Sequence, residues 1–326
     1  MDPVVSGQSH PHVGTPRFDA SRLQRFVSEV LEQAGLTPAS AAISAEVLIA
    51  ADLYGIDSHG VARLPWYLEM IRAGAIDPRG IQVVVQETAT TAMIDARNGF
   101  GPPSAVWAME RCLEKALETG VAMVAIRNSN HFGIAGYYAM MAVSRGLCGV
   151  AMTDASPQVV PLFGCVPRFG TNPLAVAIPA GEEWPFLLDM STSTVSWGKI
   201  EIARRKGSTI PLGWALDDAG QPSTDPERAV HLLPLGGNHA GAGYKGYGLG
   251  TLVEILCGPL AGAAISVDIP RPLLERIRRD GIGHFFAAWQ PDAFRPLTEF
   301  RAEMDRLIRT LRSTPPAMDY DRVYVA

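Results

Sequence analysis

Cysteine is scarce in this 326-residue sequence. The four, at positions 112, 148, 165 and 257, leave no pair close enough for a CxxC motif and no Cys/His spacing that would hold a metal. They read as free, mostly buried thiols of a protein in a reducing cytoplasm. Long apolar runs are missing too: none approaches the ~20 residues needed to span a bilayer. The N-terminal stretch MDPVVSGQSHPHVGTPRFD has neither the cationic start nor the apolar core of a secretory leader, and reads as a loose arm over 1–18. Basic residues are in deficit, 28 Lys and Arg against 33 Asp and Glu, a net charge of −5 that argues against a nucleic-acid partner. There is no GxxxxGK[ST], HExxH or GxSxG, so phosphate-loop, zinc-protease and hydrolase-elbow chemistries have no foothold.

What remains is ordinary globular composition, 47% apolar, long enough for about two domains. Residues 19–36 repeat apolar side chains at helical spacing, with Asp19 as cap and Gly35 as stop. TPASAAISAEVLIAADLYG follows with Thr37 as cap, Pro38 at the first helical position and Gly55 as stop. A third helix is predicted over 63–73, with Pro65 confined to its first turn. Then the texture changes. IQVVVQETATTAMIDAR predicts two strands with a turn; VAMVAIRNS, LCGVAMTDAS, TNPLAVAIPA and PFLLDMSTS predict one strand each. Helices are predicted over PSAVWAMERCLEKALETG, after Gly248, and over AFRPLTEFRAEMDRLIRTLRS, with strands at HFFAAWQP and at the terminal RVYVA. TIPLGWALDDAGQPSTDPERA reads as a turn-rich surface excursion. Strands with only some intervening helices indicate α+β layering, with α/β portions but no regular βαβ alternation.

Candidate chemistry starts at YGIDSHGVARLPWY. A helix from 63 puts Arg63 and Tyr67 on one face, with His59 in the turn before them. A guanidinium fork, a phenol and an imidazole suit a small carboxylate beside a hydroxyl or carbonyl. The plainer reading of His59 is a turn histidine between a capping Ser58 and Gly60. His131, in NSNHFG after an apolar strand, is either a second acid/base on a strand-end loop or a loop imidazole bonded to backbone. Asp189, opening DMSTST, either makes an Asx turn or binds ribose hydroxyls with help from Ser191, Thr192 and Ser193. GAGYKG at 241–246 matches GxGxxG literally. It lacks a good strand before it and an acid about 20 residues on, so a Rossmann site is not read there, though Lys245 could still meet an anion.

Together these stretches resemble the type 2 malate/L-lactate dehydrogenase family, which takes in archaeal-type malate, sulfolactate and ureidoglycolate dehydrogenases and diketogulonate reductase. SHGVARLPWYLEMIRAGAIDP, RNSNHFGIAGYYAMMA, FGTNPLAVAIP, the run from LDMSTSTVSWGKIEIARRKG to GQPSTDP, GYKGYGLGTLVEILCGPLAGA and GHFFAAWQPDAF carry the resemblance, in family order over about residues 20–325. It implies a non-Rossmann two-domain dehydrogenase: a helical substrate domain from both chain ends (19–78 and 235–326) and a nicotinamide-binding α/β sandwich with a mixed sheet (79–234). It implies NAD or NADP, a homodimer, and conversion between a 2-oxo acid and an (S)-2-hydroxy acid. His59 and His131 are then the acid/base candidates and Arg63 the carboxylate clamp, with Ser58, Tyr67 and Asn130 lining the substrate pocket. Asp189, Met190, Ser191, Thr192, Ser193, Tyr244 and Lys245 are implied cofactor contacts, with Thr171, Asn172 and Pro173 nearby. Family members continue past the last strand into a cofactor-touching turn and a helix, where this sequence stops at RVYVA. Two further readings stand beside the main one: a reductase of a cyclic imine carboxylate or N-alkyl amino acid, and a binding protein without turnover.

Overall fold

A computed structural model of the chain describes residues 17–270 and 281–326, so the expected arm lies outside the described residues except for Arg17 and Phe18. The N-terminal quarter is helical, for the reasons legible in its caps. Asp19 accepts the backbone N–H of Arg22 at 2.7 Å and starts α1 (Ala20–Gln33). Thr37 does the same for Ser40 at the head of α2 (Pro38–Leu53). Gly35 and Gly55, at φ +107° and +72°, turn the chain out of each helix, a backbone state only glycine adopts without strain. Two single turns of 3-10 helix, Asp57–His59 and Val61–Arg63, then lead into α3 (Leu64–Arg72), with Pro65 in its first turn. Val27, Leu31, Ala45, Leu48, Tyr67 and Met70 pack these helices into one apolar cluster that also takes in Phe100.

The rest is built on a sheet. Its strands are β1 (Val83–Glu87), β2 (Thr91–Asp95), β3 (Val121–Ser129), β4 (Cys148–Thr153), β5 (Leu174–Ile178), β6 (Phe186–Met190) and, from far down the chain, β10 (Ile282–Trp289). They lie in the order β1-β2-β3-β10-β4-β5-β6. Only the β2–β3 pairing is parallel, crossed over by α4 (Gly101–Thr119); the other pairings are antiparallel. Alternation assigns the two faces. Ala122, Val124, Ile126, Phe286 and Ala288 point into the core under α4 and α5 (Ala135–Val143). Ala125, Phe285 and Ala287 face α7 (Gly243–Cys257) with Val253 and Cys257. Between β6 and α7 come α6 (Trp197–Lys206) and the two-residue strands β7 (Ala215–Leu216), β8 (Pro222–Ser223) and β9 (His231–Leu232), which form a separate small sheet. The last helix is α8 (Leu297–Arg312), whose Asp305 accepts the backbone N–H groups of Gly181, Glu182 and Glu183.

The structure departs from the sequence reading in five places. Helix α5 was not expected: AGYYAMMAV is apolar all round because it is buried, so it has no amphipathic period to read. Helix α6 was not expected either, although Gly207 at φ +60° closes it. The turn-rich excursion holds β7 and β8, and β9 falls in the following stretch judged a poor strand, each too short for alternation to show. Helix α7 starts at Gly243, where Gly243 and Gly246 let the backbone pass against Gly237 and Leu235. RVYVA is not a strand: its residues are exposed or half-exposed and pair with no ladder. In addition, β10 belongs to the stretch expected in the helical part, yet it stands at the centre of the sheet. Among the described residues, no helix is long and apolar enough to cross a membrane.

The fit of α5 on the sheet depends on a missing side chain. A Cβ on Gly149 would stand 2.4 Å from the Ala139 carbonyl oxygen and 2.6 Å from the Ala142 Cβ. Gly149→Ala should therefore destabilise the fold by about 1–3 kcal/mol. Gly248→Ala, on α7 with nothing within 4 Å, should be neutral or stabilising. Thermal melts of the two variants check this; equal midpoints would show that α5 yields easily.

Candidate active site

One end of the large sheet gathers most of the residues singled out above. Antiparallel pairing sets the carboxyl ends of β3, β4 and β6 beside the amino ends of β5 and β10. Ser129–His131, Thr153–Asp154, Thr171–Pro173, Asp189–Ser193 and Gly283–His284 thus come from five separate segments to a common edge. The helical quarter adds the turn at 57–63.

That turn is held from behind. Asp52, on α2, accepts the backbone N–H of Val61 at 2.9 Å. A Cβ on Gly60 would lie 1.7 Å from the Asp52 Oδ1, so only glycine lets the carboxyl reach the turn. Burial, opposed by the Val61 hydrogen bond, raises the Asp52 pKa, with the nearby Asp57 charge adding to the rise. On the turn, Ser58 Oγ lies 2.8 Å from His59 Nδ1, and Arg63 Nε donates to the Ser58 carbonyl at 2.6 Å. The Arg63 guanidinium is 5.8 Å from the centre of the Trp66 ring, and its two Nη groups have no partner among the described residues. Gly198, at the head of α6, faces Ser58 at about 4.0 Å from a built Cβ.

His131 meets this turn from the sheet. Its Nδ1 lies 2.6 Å from the Tyr67 hydroxyl, and its ring stacks on His59 with centroids 5.5 Å apart and planes 22° apart. Trp66 approaches it edge-on at 5.6 Å, and Phe100 closes the far side of Tyr67. Tyr67 is fully buried, which holds its phenol well above the ordinary value and therefore protonated. A protonated phenol donates to Nδ1. The Gly133 N–H also points at Nδ1, 3.4 Å away. His131 Nδ1 is thus an acceptor, and Nε2 carries the proton in the neutral ring. Both imidazoles are pushed towards neutrality. Burial and then the Arg63 charge lower His59 to about 4. Burial, His59, Arg63 and His284 drive His131 well below its ordinary value. The two imidazoles and the Arg63 guanidinium thus disfavour one another's charge.

The other expected residues take varied positions. Asn130 is buried, but its amide is spent on Asn98 and on the Gly99 carbonyl, 2.9 Å away, so it braces the loop instead of facing the imidazoles. Asp189 reaches from β6 to the head of α5, where one oxygen accepts the Gly136 N–H at 2.7 Å; the other has no partner among the described residues. Burial raises its pKa against that hydrogen bond. Thr192 bonds the carbonyls of Thr171 and Asn172, while Ser191 and Ser193 bond each other and nearby backbone. Asn172 spends its amide N–H on Gly250 and Glu254 and leaves its Oδ1 buried without a partner. Pro173 accepts from Thr153, and Met190 is half-buried at the end of β6. Tyr244 and Lys245 stand exposed on the first turn of α7. Trp66, Asp52 and His284 were missed: Trp66 read as part of a helix, Asp52 as the last turn of another and His284 as part of a strand. A groove of about 600 Å³ between α1 and α3, lined by Phe26, Leu68 and Ile71, includes none of these residues.

The malate/L-lactate dehydrogenase family matches residues 18–326 of this chain. The chain belongs to that family. It is 40% identical to a malate dehydrogenase of Pyrococcus abyssi over 95% of its own length and 85% of that protein's. A solved malate dehydrogenase from Entamoeba histolytica superimposes with a TM-score of 0.90 at 36% identity, covering 96% of this chain and 89% of that one. A solved delta1-piperideine-2-carboxylate reductase from Pseudomonas syringae superimposes at 0.83 with 30% identity, over 91% and 88%. Membership makes the chain a hydroxy acid dehydrogenase, and such an enzyme works with a nicotinamide cofactor. The residues present fit that group. The orphaned Asn172 Oδ1, the unbonded Asp189 oxygen, the exposed Lys245 and the glycine-rich head of α7 give it polar partners and close backbone.

The turn geometry makes a direct prediction. Gly60→Ala drives a methyl into Asp52 and displaces the segment carrying His59 and Arg63, so kcat/KM should fall on the order of 10²-fold. Steady-state kinetics with any turned-over substrate check it; a value within about threefold of wild type would show that Asp52 does not set the turn.

Proposed function

We propose that this chain interconverts a 2-oxo acid and the matching (S)-2-hydroxy acid, of malate or lactate type, with NAD or NADP. The observation that carries the reading is the contact of His131 with Tyr67 and His59, 5.5 Å from His131 to His59 ring to ring, with the Arg63 charge acting on both imidazoles. A bound nicotinamide supplies or takes the hydride at C2. Arg63 binds the substrate carboxylate with its two free donors and so orients C2. One imidazole, His131 or His59, protonated once the substrate anion is bound, gives its proton to the new alkoxide and is left neutral. Tyr67, in contact with His131 Nδ1, fixes the orientation of that ring.

We place the cofactor along the sheet edge, on Asp189, Ser191, Ser193 and the first turn of α7, with Thr171, Asn172 and Thr192 as the frame beneath. The carboxylate clamp would serve a cyclic imine carboxylate equally, and the likeness to the piperideine-2-carboxylate reductase favours that as the second reading. We read 19–78 as the substrate part and the sheet with its covering helices as a non-Rossmann nicotinamide part. The sheet face beside α7 leaves Val121 and Met123 exposed, and α7 itself exposes Leu252 and Ile255; this supports a homodimer that covers them. Free thiols, three of them buried, support a cytoplasmic setting.

The test is oxidation of NADH or NADPH by purified protein with oxaloacetate, pyruvate, other 2-oxo acids and a cyclic imine acid, followed by absorbance. Turnover of a 2-oxo acid is expected; turnover of the imine alone moves the chain to the second reading. Arg63→Lys should raise KM through loss of the fork, and His131→Asn should lower kcat about 10²–10⁴-fold. The pH profile carries a sign. An anionic substrate beside two depressed imidazoles raises their pKa, so the pKa read from kcat, which belongs to the complex, should lie above that read from kcat/KM, which belongs to the free enzyme. Coincident values would remove the carboxylate from the neighbourhood of the imidazoles.

A further inference from the structure

One buried histidine has not entered the chemistry. His284, near the start of β10, is fully buried, and touches the chain on both sides of His131. Its Nε2 lies 2.9 Å from Ser129 Oγ, two residues before His131. Its ring stacks on Phe132, the residue after, with centroids 4.5 Å apart and planes 14° apart. Phe132 is in turn covered on its other side by Tyr138 at 4.7 Å, whose hydroxyl donates to the Phe132 carbonyl. The third contact anchors the device: His284 Nδ1 lies 2.7 Å from Thr153 Oγ1 on β4.

The direction of each hydrogen bond follows from donor counting. Thr153 has one hydroxyl proton, and its Oγ1 lies 2.9 Å from the Asp154 carbonyl and 3.1 Å from that of Gly283, which can only accept. The proton goes there, so Thr153 Oγ1 accepts from His284. His284 therefore carries its proton on Nδ1. Burial keeps the ring neutral, its pKa lowered to about 3 against the pull of the Asn130 and Gly283 carbonyls. With the proton on Nδ1, the Ser129 hydroxyl donates to Nε2. The chain of donors is Ser129 to His284, His284 to Thr153 and Thr153 to backbone, each group fixed by the next.

We propose that His284 is a positioning residue for His131: by gripping Ser129 and Phe132 it fixes the arc of chain between them, and so aims the His131 ring at Tyr67 and the substrate. Asn130 braces the middle of the same arc on Asn98 and Gly99. Cutting the His284 grip removes the side-chain hold on Ser129 and the packing on one face of Phe132, leaving the arc tied by Asn130, by Tyr138 and by the backbone pairing of Ser129. The proposal rests on the reading that His131 is an acid/base of the reaction.

Two measurements test it, and one of them needs no turnover. In histidine-labelled protein, nitrogen-detected NMR should show His284 protonated on Nδ1, and Ser129→Ala should shift the ring nitrogens of His131. A His284 protonated on Nε2, or His131 signals unmoved by Ser129→Ala, would overturn the proposal. In kinetics, Ser129→Ala and His284→Phe, which keeps the stack on Phe132 but no hydrogen bond, should each lower kcat about 10- to 100-fold while KM for the 2-oxo acid and cofactor affinity stay within about threefold. Thr153→Val should repeat the loss, and Thr153→Ser should restore it. A kcat within about twofold of wild type in Ser129→Ala would overturn the proposal, as would a fall in kcat matched by a fall in cofactor affinity. Wild-type protein that turns over no 2-oxo acid would instead sink the dehydrogenase reading, and the NMR comparison would still decide whether His284 positions His131.

Discussion

The hydrogen bond between Tyr67 and His131 ties the helical quarter of the chain to the large sheet through two ionisable side chains. Tyr67 is anchored in the helical cluster, with Phe100 packed against its ring. His131 hangs from the end of β3. Each half of the site is formed by its own packing, and the 2.6 Å contact sets how the halves meet. A small shift of α3 on the sheet would separate the imidazole from its donor, and a misplacement of about 1 Å at a catalytic group is felt on the order of 10²-fold in rate. The glycines at 60 and 101 serve the same registration. A Cβ on Gly101 would stand 2.2 Å from the His131 carbonyl oxygen, so α4 begins directly beneath the loop that it supports.

The electrostatics of the site are one-sided. Arg63, His59 and His131 face each other, while Asp52 lies behind the turn with its carboxyl taken up by backbone. Desolvation is the largest cause of both imidazole shifts, so the protein keeps the rings neutral chiefly by excluding water and only secondarily by charge repulsion. Under the proposed function, an incoming carboxylate would meet the Arg63 guanidinium, and its charge would favour protonation of the two imidazoles, linking binding to protonation.

Much of this was legible in the sequence where the signal is local. Asp19, Thr37 and Pro38 announce helix starts through their own backbone chemistry, and the alternation in VAMVAIRNS shows a strand with two faces. Arg63 and Tyr67 fall on one helical face by spacing alone. What was not legible comes from segments far apart. Helix α5 has no polar face because the sheet and its neighbours cover it, and nothing within nine apolar residues distinguishes that from a strand. Asn130 carries the right chemistry for a substrate contact, yet the turn at Asn98 and Gly99, thirty-odd residues upstream, claims its amide. His284 reads as one polar residue in an apolar strand until Ser129 and Thr153 are placed on either side of it.

Antiparallel pairing explains why the distant partners matter here. In a parallel sheet the loops at one end follow the strands in a regular order, and a fingerprint within one βαβ unit can announce the ligand site. Here every adjacent pair but β2–β3 runs in opposite directions, so the same edge receives the end of one strand and the start of the next. The β3, β10 and β4 strands meet there although β10 is about 130 residues from β4 in the chain. A literal GxGxxG at 241–246 consequently opens a helix that packs on the sheet face, and does not follow a strand of the large sheet. The side chains proposed for the chemistry come from segments that no single motif spans, so strand order, more than any one stretch of sequence, brings them together.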